Sequence, residues 1–183
     1  MTDVSSQVAA VHLELIEAVG AALASSKSTA TADTAALLAI ERYREDGWND
    51  LAKALRRRLA GKTVDASTLD EEDRMILAAI ERATDEPQWL QHVAEQAEVE
   101  AAEQIAALIL AATWGERDAL AALNEMREAA RAAGVQGSTA HAFVAIVEGE
   151  RRLDALLESH ENAQTGLVGR TLAALALREQ DQD

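Results

Sequence analysis

Four histidines, at positions 12, 92, 141 and 160, are the only side chains whose unperturbed proton affinity lies near neutrality, and the chain has no cysteine. Disulfides, thiol catalysis and thiolate metal sites are therefore excluded. His92 and Glu95 stand three apart and would share a helical face, while Glu158, His160 and Glu161 offer oxygen and nitrogen ligands for a cation. Spacing works against both groups. Residues two apart, such as Glu158 and His160, do not face one another on a helix. A carboxylate metal site in a helical bundle needs Glu-x-x-His on two helices with further carboxylates beside them, and only reversed or misspaced fragments of that pattern occur. There is no Gly-x-Ser-x-Gly and no glycine loop to cradle a phosphate, and nothing along the sequence pairs a histidine with a nucleophile. Solvated or helix-capping histidines are the expectation. The residues point to no catalytic group, no metal, no cofactor and no enzymatic activity.

Recognition chemistry is better represented. Lys53, Arg56, Arg57 and Arg58 form the only dense basic group in a chain of formal net charge -15. On a helix Lys53, Arg56 and Arg57 share a face. They could anchor an acidic peptide or a phosphate, or pair within the fold with Glu41, Glu45 or the acidic run Asp70–Asp73, and nearby opposite charge favours pairing. Aromatic residues are only 3% of the chain, so Trp48, Trp89 and Trp114 stand out. Each is either a wedge between helices or an exposed anchor for a partner.

The charge excludes whole classes of partner. With 32 acidic and 17 basic residues the chain repels nucleic-acid backbones and anionic lipid surfaces. Neither a signal peptide nor a membrane span is expected at the N-terminal end, because the apolar stretch Val8–Ala24 is interrupted by His12, Glu14 and Glu17. A cytoplasmic setting follows as an expectation. The excess of Arg over Lys and the wealth of Ala suggest a high-GC bacterial genome.

The elements that must carry these residues are helices. Ala and Leu dominate the apolar positions, and Pro87 is the only proline. Eight helices are predicted. The first carries Val8, Val11, Leu15, Val19 and Ala22 on one stripe. After a polar linker at 25–31, the second places Leu37, Ile40 and Tyr43 on one side and ends at Gly47. The third holds Leu51, Leu55 and Leu59 and ends at Gly61. Thr68-Leu69-Asp70-Glu71 reads as a capping box for the fourth. The fifth starts at Pro87 with Leu90, Val93, Ala97, Ala101, Ile105 and Leu108. The sixth runs from about Glu116 to Gly134, the seventh is capped by Ser138 or Thr139, and the eighth covers roughly 164–177. Residues 51–80 and 142–175 both read helix, glycine, loop, helix, with Gly61 matching Gly149. The fold class is thus all-α, with two similar four-helix halves over 1–84 and 85–183 and helical-hairpin, α-solenoid stacking.

The stretch leading into Ala60-Gly61-Lys62, followed by Leu69-Asp70-Glu71-Glu72-Asp73-Arg74-Met75-Ile76-Leu77, resembles the tetratricopeptide-like helical-repeat regions of bacterial multi-domain proteins that sit beside caspase-like CHAT or nucleotide-binding domains. Val147-Glu148-Gly149-Glu150-Arg151 is similar to the same junction. The resemblance implies a module that binds another protein and has no chemistry of its own. Two other functions stay open on the residues. One is an immunity or antitoxin-type protein that neutralises a basic partner through an acidic patch including Asp70, Glu71, Glu72, Glu95 and Glu98. The other is a helical bundle enclosing a small ligand. Leu13, Ile16 and Leu38, outside the main stripes, leave room for a homodimer.

Overall fold

Glycines in the left-handed region punctuate the chain. At Gly61 (φ 69°) the Gly61 N–H donates to the Arg58 carbonyl and the Lys62 N–H to that of Arg57, the paired bonds of a Schellman helix end. The same pair recurs at Gly47, where Gly47 bonds Arg44 and Trp48 bonds Tyr43. These stops, with the entry at Pro87, set most of the helix boundaries.

The structure is a computed structural model that describes residues 4–24 and 30–180. Among these residues there are ten α-helices, one turn of 3₁₀ helix at Ala66–Thr68 and no strand. The helices are α1 (Val4–Val11), α2 (Leu13–Ala24), α3 (Ala30–Glu45), α4 (Asn49–Leu59), α5 (Glu71–Asp85), α6 (Pro87–Thr113), α7 (Arg117–Ala132), α8 (Thr139–Val147), α9 (Leu153–Ser159) and α10 (Thr165–Gln180). The linker expected at 25–31 falls outside the described residues over 25–29, and α3 begins at Ala30.

The count of eight is corrected to ten at two places. The first predicted helix is broken at His12, so that α1 and α2 lie at 94° to each other. Val11 is consequently exposed, although a straight helix would put it on the buried stripe. Residues 153–159, expected as loop, form α9: Leu153, Leu156 and Leu157 supply too short a run for periodicity to declare, and only Leu156 is fully buried. Smaller corrections follow the same logic. The cap of α5 is Asp70, whose carboxylate accepts from the Asp73 N–H at 2.8 Å, while the Thr68 hydroxyl donates to the Asp65 carbonyl. On α3 the buried face is Ala36, Ala39 and Ile40, and Leu37 is exposed. Ile16, expected outside the stripe, is fully buried, whereas Leu38 is exposed.

The chain divides into two compact units, Met1–Glu95 and Gln96–Asp183, and the division falls inside α6. In the first unit α2 is the central element: α3, α4 and α5 all pack on it, and α1 packs on α5. Leu15, Ile16, Val19, Ile40, Leu51, Leu55, Ile76 and Ile80 fill this interior. Buried alanines on α3, α4 and α5 (Ala36, Ala52, Ala54, Ala79) let the backbones approach closely. An arrangement around one central helix differs from the strictly sequential stacking expected of a solenoid.

In the second unit α8 packs on α7, α9 and α10, and α9 on α10. Its interior is built from Ile109, Leu123, Phe143, Ile146, Leu156, Val168 and Leu175. The entry to α8 is fastened to the entry of α10. Asn162 Nδ2 donates to the Gln136 carbonyl at 2.8 Å, the Asn162 N–H to the Gly137 carbonyl at 3.0 Å, and the Gln164 N–H to the Thr139 hydroxyl at 2.8 Å. Gly137 (φ 61°) permits this approach, since a Cβ there would lie 3.4 Å from His160 Cα.

No single helix among the described residues is long and apolar enough to cross a membrane. The bent pair α1 and α2 reaches that length and composition only together, and its apolar residues Ala9, Leu15, Ile16 and Val19 are buried in the first unit.

Candidate functional site: the charged surface around α4

α4 begins directly after Trp48 and ends at the Gly61 stop, so the basic residues and one tryptophan are carried by a single short element. Its buried face is Leu51, Ala52, Ala54 and Leu55, which turns Lys53, Arg56 and Arg57 outward. The candidates then separate. Arg56 ion-pairs with Glu41, which also takes Arg44 at 2.5 Å. The hydrogen bond from Arg44, with Arg56 adding its charge, holds the Glu41 carboxyl below the usual carboxylate range. Arg58 reaches Glu81 at 3.4 Å. Arg57 donates to the Thr63 carbonyl (3.2 Å) and makes no ion pair among the described residues, and neither does Lys53. Internal pairing thus holds for Arg56 and Arg58 and leaves Lys53 and Arg57 in the hollows beside α4, one of them shared with Lys62.

Adjoining one of these hollows at Asp50 lies an acidic cleft of about 400 Å³, lined by Asp46, Trp48, Asp50, Asp70, Glu72 and Asp73 and by no Lys or Arg. Two backbone devices assemble it. The Gly47 turn presents Asp46, Trp48 and Asp50, and the Asp70 cap presents the first turn of α5, where the helix dipole favours negative charge. Asp73 is the unusual member. It is only 6% exposed, and its carboxylate has neither an ion pair nor a side-chain hydrogen bond among the described residues. Burial, reinforced by the charges of Asp70 and Asp50, raises its pKa; a hydrogen bond from the Asp70 backbone N–H, the return half of the capping box, acts the other way and is outweighed.

An aromatic cluster backs the cleft. His12, at the bend between α1 and α2, is 6% exposed, with its ring 5.4 Å from that of Trp48 and 5.7 Å from that of Tyr43. His12 Nδ1 lies 2.7 Å from the Tyr43 hydroxyl, and His12 Nε2 lies 3.5 Å from Glu72. Burial, with Glu14 and Asp46 nearby, raises the Tyr43 pKa, so its hydroxyl keeps its proton and can donate to Nδ1. The expectation of a solvated His12 is corrected: the bend carries its ring into the cluster.

The remaining candidates are not among the residues that line these hollows. Trp89 is half-buried with the Arg82 guanidinium 4.4 Å from its ring centroid, a cation–π stack on its own turn of chain. Trp114, in the second unit, is 63% exposed at the end of α6. Also in the second unit, Glu98 lies 3.5 Å from Arg170. His160 lies beside His141 (centroids 6.2 Å apart), whose Nδ1 is 2.9 Å from the Ser138 hydroxyl. Burial and His141 lower the His160 pKa. Among the described residues no three His, Asp or Glu side chains converge to hold a metal ion.

Sequence reasoning named Trp48, Lys53, Arg57, Asp70 and Glu72. It missed Asp46 and Asp50 as partners, and His12 and Tyr43 as their backing. The run Asp46-Gly47-Trp48-Asn49-Asp50 carried a signal for half of this: two carboxylates flank a tryptophan across a glycine turn. No family model, curated protein or solved structure matches the chain.

Proposed function

We propose that the protein is a binding module, without chemistry of its own, that recognises another protein through the charged surface around α4. One observation carries this reading. In a chain of net charge -15, Lys53 and Arg57 make no ion pair among the described residues although Asp50 and Asp65 line the same hollow, and the acidic cleft adjoins that hollow at Asp50. Within a fold, nearby opposite charges ordinarily pair, and charges kept apart on a surface favour a complementary partner and speed its encounter.

The test is affinity capture with the full chain, comparing it with Lys53→Glu/Arg57→Glu and with a control of equal charge change on α7, Arg117→Glu/Arg131→Glu. A partner retained by the original and the control and lost with the α4 variant is the expected result. Equal loss in both variants would reduce the interaction to net charge and sink the reading.

The acidic neutraliser is a second reading, favoured by the cleft alone. It expects retention that disappears between low and moderate salt and is indifferent to Lys53 and Arg57. The small-ligand bundle has less support: the apolar recess of about 240 Å³ lined by Leu13, Gly20, Ala83 and Leu90 is an open groove rather than an enclosed cavity.

A further inference from the structure

We infer that the basic hollow beside α4 is a site for a phosphate monoester, carried on a phosphorylated side chain of the partner protein. This deepens the reading above and rests on it for the source of the phosphate.

The hollow, of about 330 Å³, is lined by five cations, Arg44, Lys53, Arg56, Arg57 and Lys62, and by no carboxylate. That gathers the minority sign of a chain with 17 basic and 32 acidic residues. The backbone puts three of the five side by side. Lys53 and Arg57 are four apart on α4 and neighbours on its surface. The Schellman stop then folds the chain back, so that the Lys62 N–H donates to the Arg57 carbonyl at 2.9 Å. None of the three makes an ion pair among the described residues. The carboxylates around them are otherwise engaged. Glu41 holds Arg44 and Arg56. Asp65 accepts from the Ser67 N–H at 3.0 Å and from its hydroxyl at 2.7 Å. Asp50 also lines the acidic cleft, where its charge acts on Asp73. The helix dipole favours cations in the last turn of α4, but it does not call for Lys53 in the second turn.

The surroundings decide which anion fits. A single carboxylate brings one negative charge and leaves most of the hollow uncompensated. An extended acidic segment would have to continue past Asp50 and Asp65, which line the adjoining hollow, and over a surface of net charge -15. A phosphate monoester concentrates about 1.5–2 negative charges and three acceptor oxygens in one compact group at neutral pH. It therefore has acceptors enough to take Lys53, Arg57 and Lys62 together without touching the acidic neighbours. Arg57 is already oriented for the contact. Its Nε and Nη2 donate to the Thr63 carbonyl at 3.4 and 3.2 Å, which fixes the plane of the guanidinium and leaves Nη1 to donate.

The test titrates the purified full chain with Nα-acetyl-O-phosphoserine methylamide and follows the Lys62 and Thr63 amides by heteronuclear NMR at constant ionic strength. Parallel titrations use the unphosphorylated serine probe, a triglutamate peptide and inorganic phosphate. The expected result is a saturable shift of both amides by the phosphoserine probe, several-fold tighter than triglutamate and no weaker than inorganic phosphate. Lys53→Gln and Lys62→Gln, both at exposed positions, should each weaken it about tenfold, while Arg117→Gln on α7 leaves it unchanged. No histidine lines the hollow. Affinity should therefore fall between about pH 7.5 and about pH 5.5 with the second charge of the phosphate itself. Shifts that do not saturate, triglutamate bound as tightly, or binding indifferent to both lysine variants would each overturn the proposal. Inorganic phosphate bound more tightly than the probe would assign the hollow to the free ion and overturn the side-chain source. The probe needs no partner protein, so a flat titration with partner capture intact removes the phosphate site and leaves the α4 surface standing. A saturable titration with capture lost does the reverse.

Discussion

Two buried polar side chains show that the residues of this protein are not all chosen for stability. The Thr171 hydroxyl lies in the second core, fully buried, with no hydrogen-bond partner among the described residues. Replacing it by a methyl removes an unsatisfied group from the interior while keeping the branched shape. Thr171→Val should therefore stabilise the unit by about 1–2 kcal/mol, a rise of roughly 2–8 °C in melting temperature, read by circular dichroism. Asp73 is the second case. Its pKa in the fold is raised above the ordinary 3.8, chiefly by burial. A raised value means that the folded state holds the proton more tightly than the unfolded one. The group's contribution is then favourable below pH 3.8 and is lost as pH rises through the higher folded value. At neutral pH ionised Asp73 opposes folding, so Asp73→Asn should melt above the original protein at pH 7. The gap should narrow on acidification, and a gap independent of pH would contradict the burial argument. A residue that lowers stability where it stands is a reasonable place to look for binding.

At the scale of elements, the helix ends are the most sharply specified parts. Gly61→Ala keeps every side-chain contact, since nothing lies within 4 Å of the added Cβ, but forces a left-handed conformation on alanine. A loss of about 1–2 kcal/mol is expected, measured by urea unfolding, together with fraying of the last turn of α4 that carries Arg57 and Arg58. These stops were legible because Gly, Pro and the acidic first turn of α5 act through local backbone geometry. The elements that escaped were decided by tertiary contact. The break at His12 has no glycine or proline to announce it. It accompanies an imidazole turned toward Tyr43 and Trp48, which are more than thirty residues away in sequence. α9 is too short for a periodic signal. The site divides the same way. The basic face of α4 can be read from spacing within one helix, whereas the acidic cleft needs the α3–α4 turn and the cap of α5 brought together.

For the whole molecule, charge is the governing quantity. The ion pairs of the first unit, such as Arg42–Glu14, and of the second, such as Arg152–Asp154, engage the minority sign and leave a large acidic excess. Mutual repulsion of that excess should make the fold salt-sensitive. Raising sodium chloride from about 20 to 300 mM shortens the screening length to under 10 Å, and the melting temperature should rise over that range. A fall would mean that the ion pairs outweigh the repulsion. The two units also differ in construction: the first is gathered around α2, while the second closes a shorter stretch of chain upon itself. Viewed as a circuit, residues 136–164 form a ring, fastened where Asn162 and Gln164 meet Gln136, Gly137 and Thr139. A protease cut at the exposed Gly149 turn opens that ring at one point and leaves its clasp shut. The severed strands still share the interior of Phe143, Ile146 and Leu156, so the nicked protein keeps its pieces together and migrates as one particle until it is denatured.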